Sequence, residues 1–576
     1  MQVETEAWQE GSLSAKNCLL LEAPSFAETR LKRPCIAPGP SGEVLAWALL
    51  QAKFLRRDFL ILNLFKYQVK KNPRTSDILH PDGDILVKGS KVLTPKGFEE
   101  ARWCLDLIEQ WIATGTDRKI LVAAGAPALN AVTGLVGISK WRGSPFPPTP
   151  QRGCWVIPTI HPAACLERGE DAGAYHQRLT LVNDFEKTKR FASGYTPPTR
   201  RLIIDPKFEQ VTSFFDTLDQ KPAFAVDLEI AKTMEQVTCF SLAYSALDSI
   251  CIPVVNEKGQ PWWSENDELL IWQRFAKLLT SGKKIINQNL IFDLSIFLQS
   301  LGLHFRGKLC DTMIGFNILL PDFPKGLDFI TSILTDEVYY KDDGKVWKTE
   351  GRNSLFRDPM KFFRYNALDS AVAFEAWDGN SWHPGLETSL VNGNYWTTYL
   401  RDIRKFGPLL DMMARGLEVD SEELQRVSSA TDLLISEKTK KFQELCGFPI
   451  KPSSNAACQR YFYDTLALNP YTSRKSGNTT LDKKALSRIA RRTGKGAAEA
   501  QLLQDLRQLM KFRDSYGDIT WDADGRVRCS WAPRGTIMGR LSSSQTIFGR
   551  GLNMQNLTPS FKTFLVAGKD ETRKNW

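Results

Sequence analysis

The N-terminal third of the chain alternates short apolar runs with longer stretches in which apolar and polar positions recur at helical spacing. Residues 17–24 (NCLLLEAP), 57–64 (RDFLILNL), 119–124 (KILVAA) and 155–160 (WVIPTI) read as buried strands. Strands of this kind separated by amphipathic helices predict an α/β layer built on a mainly parallel sheet. The layer ends near Phe191. The segment ASGYTPPTRR at 192–201, rich in small residues, proline and arginine, has the composition of a linker.

A second α/β pattern opens at RLIID and runs through AFAVDLEI at 223–230, CFSLAYS at 239–245 and SICIPVV at 249–255. The connections are too short for crossover helices, so these strands are expected to pair antiparallel. Helices then follow to about residue 380. After WDGNSWHPG the character changes, and residues 390–450 and 482–515 read as mostly long amphipathic helices. No internal repeat or low-complexity tract interrupts the chain.

Composition narrows this picture. A chain of 576 residues exceeds the roughly 250–300 residues at which one hydrophobic core stops growing, so two to four domains are expected. The net charge of +10 favours a polyanionic partner without naming one. The eleven cysteines form no C-x-x-C pair, which argues against a zinc ribbon or a disulfide framework and for a reducing cytoplasm. The first residues, MQVETEAWQEGS, lack the basic and apolar regions of a signal peptide, and no run has the length of a membrane span. No membrane association is expected.

The candidate chemistry lies in the second pattern. Asp227 and Glu229 are two apart on a predicted strand and so share one face. Two acids in an apolar strand are costly unless something binds them, and hard divalent cations take carboxylate oxygens. Asp293 follows the polar run Asn287, Gln288, Asn289 near the start of a predicted helix, and Tyr365 and Asp369 are neighbours on one helical face. Each feature alone has an ordinary structural explanation.

In this order, D-x-E, N-x-x-x-D and Y-x-x-x-D resemble the three exonuclease motifs of the DEDDy family, which includes RNase D and the proofreading domains of family A DNA polymerases. DTMIGFNILLP from Asp311 and GLDFITSILT at 326–335 resemble its connecting segments. The resemblance covers roughly residues 200–380. It implies a ribonuclease H-like fold with a mixed sheet and two ions of Mg²⁺ or Mn²⁺. Asp227 would bridge both ions, Glu229 and Asp369 would hold the one that activates water, and Asp293 would support the other. Tyr365 would orient the attacking water, because its phenol is too weak an acid to serve as a base at neutral pH.

Further on, DMMARGLEVD at 411–420 and LRQLMKFRDSYGD at 506–518 resemble the start of a family A polymerase domain and its thumb. DGRVRCSWAPRGTIMGRLSSS at 524–544 and LNMQNL at 552–557 resemble its primer–template segments. The resemblance implies duplex-backbone contacts from Arg540, Ser542, Ser543, Asn553 and Gln555, which position DNA without reading its sequence. The sequence ends at Trp576, before the position of the palm carboxylates, so synthesis is not expected from this chain alone. A second chain carrying palm and fingers would be a partner. The tail ETRKNW departs from the family.

Residues 15–190 resemble the uracil-DNA glycosylase superfamily. LLLEAPSFAET, with Glu22 and Glu28, KRPCIAPGPSGEVL, LNLFKYQ, LVAAGAPALNAVTG and TIHPAACL match its motifs in order. By this resemblance Asn63 would pair with a flipped uracil edge and His161 would stabilise charge on its oxygen, in the snug pocket that base flipping requires. Cys35 replaces the family's aromatic stacker, Leu21 and Ser25 replace its first-motif glycines, and the cysteine pattern of an iron–sulfur cluster is missing.

The whole is expected to be an α/β multi-domain protein. Residues 1–192 would form a glycosylase-like α/β/α domain, 200–385 an exonuclease domain, and 386–576 a mostly helical thumb region with the start of a palm. It would act on single-stranded DNA 3′ ends and primer–template in the cytoplasm of a bacterium or a phage-infected host. An RNase D-like RNA exonuclease, and the non-catalytic DNA-binding half of a split polymerase, are the alternatives.

Overall fold

The computed structural model describes residues 6–36, 39–69, 85–87, 92–114, 119–166, 173–231, 236–256, 258–344, 358–473, 477–492, 494–517 and 519–566. Part of KRPCIAPGPSGEVL and the tail ETRKNW lie outside them. Contacts group the chain into two compact units, residues 1–406 with 537–539, and residues 407–536 with 540–576.

The first unit contains two sheets. In the first, β1 (Gln9–Glu10), β2 (Asn17–Leu21), β3 (Phe59–Asn63), β4 (Ile120–Ala124) and β5 (Trp155–Thr159) stand in the order β1-β3-β2-β4-β5. The last four in this order run parallel, and β1 pairs antiparallel on the edge. Every residue of β2 to β5 is buried, as a parallel sheet covered on both faces requires. Leu20, Leu62 and Leu121 face Trp111 of α1 (Pro95–Ala113). Leu19, Leu21, Ile61 and Val122 face the opposite way, against Phe185 of α2 (Gly173–Ala192) and Leu45 of the helix Pro40–Gln51. Period-two alternation thus builds two cores on one sheet.

The second sheet is mixed. It holds β6 (Arg201–Ile203), β7 (Ala223–Ala231), β8 (Gln236–Ala243), β9 (Asp248–Pro253), β10 (Lys284–Asn287) and β11 (Lys308–Asp311) in the order β11-β10-β7-β8-β9-β6. β7, β8 and β9 are antiparallel neighbours, whereas β10 runs parallel to β7 and β11. The long helix α3 (Pro359–Asp378) crosses this sheet. Its start is set by Asp358, whose carboxylate accepts the Lys361 amide at 3.1 Å, with Pro359 at the first helical position. It is pinned by Ser241 and Ser249, whose hydroxyls donate to the Asn366 and Ala367 carbonyls at 2.8 and 2.6 Å.

The stretch expected as long helix from residue 390 is instead divided among Gly385–Asn392, Trp396–Ile403 and Phe406–Arg415. A left-handed Asn394, at φ 61°, follows Gly393 between the first two. In the second unit, α4 (Ser421–Cys446) packs with Lys483–Ala490 and Ala497–Tyr516 around Phe442, Phe462, Leu486, Leu503 and Leu506. Leu417–Val419 joins Arg526–Val527 and Leu565–Val566 in a small sheet, and Ser530–Ala532 pairs with Ser542–Ser544. The chain is therefore a mixed α/β protein in more than one unit.

Candidate active site

β7 lies inside its sheet, between β10 and β8. Asp227 and Glu229 are opposite Ser241 and Cys239 of β8, and the register slips only after Glu229. The two acids therefore stay on one face. Asp369, from α3, meets them there: one carboxylate oxygen from each of Asp227, Glu229 and Asp369 lies within 4.8 Å of the others. Asp293 sits in the first turn of the helix Leu290–Gln299. It is outside that converging set, but buried and close enough that its charge acts on Asp227 and that of Glu229 acts on it.

The electrostatics follow from crowding. Burial, and then the charges of Asp369, Glu229 and Asp293, raise the Asp227 carboxyl well above the usual range, against the pull of Lys341. Asp293 is raised mainly by burial, opposed by backbone hydrogen bonds. Tyr365 is pushed up by burial and by Asp369, Glu229 and Asp227. Its hydroxyl therefore stays protonated, a donor beside the acids.

Three further residues complete the site. Asn366 donates Nδ2 to Asp227 Oδ2 at 2.8 Å, holding the carboxylate's orientation. The Tyr340 hydroxyl donates to Asp369 Oδ1 at 2.6 Å, and Lys341 Nζ lies 2.6 and 2.5 Å from the two Asp369 oxygens. The backbone passes so near Tyr365 that a Cβ on Gly344 would lie 2.5 Å from the ring's Cζ, so only glycine fits there. None of these was read from the sequence. Asn366 stood in plain view between Tyr365 and Asp369, but Tyr340 and Lys341 lie in a non-periodic segment.

The residues fit a hard divalent cation. All three converging donors are carboxylates, the charges of Asp369, Glu229 and Asp293 all act on Asp227, and Asn366 Oδ1 is buried with no hydrogen-bond partner among the described residues.

The other predicted residues lie elsewhere. In the first sheet, Asn63 ends β3 while Glu22 and His161 follow the carboxyl ends of β2 and β5, and the strand order reverses between β2 and β4. Ligands of open α/β sheets bind at such a point. Asn63 is buried and gives Nδ2 to the Ala7 carbonyl at 2.8 Å, and His161 Nδ1 accepts the Ala163 amide at 3.1 Å. Glu28 is engaged in a capping box with Ser25, and Cys35 is buried with its thiol pushed up by burial. In the second unit, Ser543 Oγ donates to Asn553 Oδ1 at 2.7 Å, and the Gln555 amide lies 3.1 Å from both of those oxygens. Ser542 pairs with Ala532 in the hairpin, and the Arg540 side chain is exposed.

No protein-family model matches the chain. In sequence it is similar to the DNA polymerase DpoZ of Acinetobacter phage SH-Ab 15497, 22% identical over 196 residues, which is 32% of this chain and 30% of that protein. In structure it resembles the POL domain of Pol1 from M. smegmatis in complex with DNA primer-template and dNTP, with a TM-score of 0.47, 17% identity, and coverage of 64% of this chain and 59% of that one. The chain thus matches less than two thirds of the length of either protein, and its sequence similarity to a DNA polymerase extends over about a third of its residues.

Proposed function

We propose that this chain carries the 3′→5′ exonuclease of a family A DNA polymerase, with Asp227, Glu229 and Asp369 holding a divalent cation and Asp293 supporting a second. The observation that carries this reading is the meeting of three carboxylates from two distant parts of the sequence beside a protonated tyrosine. Bound Mg²⁺ or Mn²⁺ would supply Lewis acidity and an acidified water for phosphodiester hydrolysis. Asn366 keeps the Asp227 oxygens aimed into the site. Tyr365 donates its hydroxyl hydrogen to hold the attacking water in line, while the water's own proton leaves toward the carboxylates.

DNA is favoured over RNA by two observations. The chain has sequence similarity to a phage DNA polymerase, and Ser543, Asn553 and Gln555 form one hydrogen-bonded group in the second unit. That group, with Arg540 and Ser542, would grip a primer–template backbone. For the first sheet the corresponding proposal is a glycosylase-like pocket at the edge bearing Asn63 and His161. Release of uracil from a uracil-containing oligonucleotide, lost in His161→Ala, is its test.

The exonuclease reading is tested with a 3′-labelled single strand of DNA and Mg²⁺. Shortening from the 3′ end, abolished by EDTA and by Asp227→Ala, is expected. An Asp227→Ala chain that degrades the strand as fast as the wild type would overturn it.

A further inference from the structure

One charged side chain touches the carboxylate cluster without a part in the scheme above. Lys341 places Nζ 2.6 Å from Oδ1 and 2.5 Å from Oδ2 of Asp369. The ammonium lies 4.8 Å from the ring centre of Tyr365 and 5.3 Å from that of Tyr340. Its side chain is 15% exposed and that of Asp369 only 4%. The pair is thus largely withdrawn from water, where such contacts are stronger than at an open surface.

Lys341 does not reach this position from a loose loop. It belongs to a strap, residues 335–342, tied on both sides of Tyr340. Lys187 Nζ, wholly buried, donates to the Thr335 carbonyl at 2.9 Å. Asp336 receives Arg190 Nη2 at 3.2 Å and Trp382 Nε1 at 2.7 Å, and Glu337 receives Arg200 Nε at 2.7 Å. Beyond, the Tyr339 amide lies 3.1 Å from Ser144 Oγ, its ring meets Trp141 edge-on at 5.1 Å, and Asp342 pairs with Lys140 at 2.5 Å. Five of these tethers, Lys140, Trp141, Ser144, Lys187 and Arg190, come from the α/β layer that precedes the exonuclease-like sheet. That layer thereby helps to set where Lys341 stands.

A divalent cation and an ammonium make incompatible demands on Asp369. The metal takes carboxylate oxygens as ligands, and the ammonium donates hydrogens to the same oxygens. We propose that Lys341 is a built-in competitor for the metal at Asp369, so that ion capture and release of the Lys341 ammonium from that carboxylate are one exchange. The inference rests on the reading of the cluster as a metal site. Its consequence is that the cluster binds a divalent ion more weakly than its carboxylates alone would, while Asp369 stays charge-paired without one.

The test is calorimetric titration of Mn²⁺ into the full chain, with melting followed in EDTA and in Mg²⁺. Lys341→Met is expected to bind Mn²⁺ about tenfold tighter, to melt lower than wild type in EDTA, and to gain more from Mg²⁺. Lys341→Gln, which keeps a hydrogen-bond donor, is expected to show the same tightening and a smaller loss in EDTA. Lys341→Arg, which keeps the competing charge, stays near wild type. Equal or weaker Mn²⁺ binding by both Lys341→Met and Lys341→Gln, in a chain whose Mn²⁺ binding is lost on Asp227→Asn, would overturn the exchange and leave the metal site standing. Mn²⁺ binding indifferent to Asp227→Asn would remove the metal-site reading itself.

Discussion

The amide of Asn366 donates to the carboxylate of Asp227 across 2.8 Å, joining the helix that carries Tyr365 and Asp369 to the strand that carries Glu229. The same nitrogen also lies 3.4 Å from the Asp227 carbonyl, so one side chain links the two sequence elements whose acids converge. Asn366→Ala is expected to lower exonuclease turnover on a 3′-labelled strand about 10–100-fold, the usual cost of losing a partner that orients a metal ligand, with KM little changed. Steady-state kinetics at saturating Mg²⁺ check this.

Metal addition should be visible without turnover. Asp227, Glu229 and Asp369 bring like charges together, so Mn²⁺ or Mg²⁺ should raise the melting temperature in proportion to the logarithm of its concentration above Kd. Asp369→Asn should abolish the rise. A differential scanning titration, repeated with EDTA, measures both.

The pH dependence of stability has a definite sign. Burial raises Asp311 to about 6, from an ordinary 3.8, although its oxygens accept the Ile314 and Leu290 amides at 3.0 and 2.9 Å. A folded-state pKa above the unfolded value means that the folded chain binds the extra proton, so this contribution is fully present below 3.8 and is lost as pH rises to 6. The loss is about 3 kcal/mol at 1.36 kcal/mol per pKa unit. Urea unfolding in EDTA at several pH values should show the slope, and Asp311→Asn should flatten it.

The first sheet meets the helix Leu327–Leu334 through buried charge. Asp184 is fully buried, accepts Arg142 Nε at 3.1 Å and Thr159 Oγ1 at 2.7 Å, and Arg142 reaches on to Ser332 Oγ at 2.8 Å. Asp184→Ala leaves that guanidinium buried without its carboxylate and is expected to cost about 3–5 kcal/mol. Denaturant unfolding compared with wild type gives the figure.

In the second unit, Arg540→Ala should weaken primer–template binding uniformly across sequences and reduce the salt slope by about one, as loss of a single phosphate contact does. Asn553→Ala removes the acceptor shared by Ser543 and the Gln555 amide, and should loosen binding with a smaller change in slope. Fluorescence anisotropy over a salt series distinguishes the two.

Much of this was legible beforehand because it depends on local pattern. The buried runs around Leu20, Leu62, Val122 and Ile157 became strands where apolar periodicity put them. The short links around residues 232–248 predicted antiparallel neighbours, and β7, β8 and β9 pair that way. The helix break at Gly393 and Asn394 and the small sheet beginning at Leu417 were not legible. The first turns on one left-handed residue, and the second on strands of two or three residues whose partners lie far along the chain.

By itself, the sequence determined that Asp227 and Glu229 share a strand face and that Tyr365 and Asp369 share a helix face, since periods of 2 and 3.6 decide such matters locally. Only the tertiary structure decided that these faces meet, that Asn366 ties them together, and that Lys341 arrives on Asp369. Likewise, Lys187 and Arg142 would pass for ordinary polar positions, yet both are buried against the strap and the helix Leu327–Leu334 that precedes it. The physical reason is the same in each case. A charge's cost and its partner depend on what surrounds it in space, and no local period encodes that.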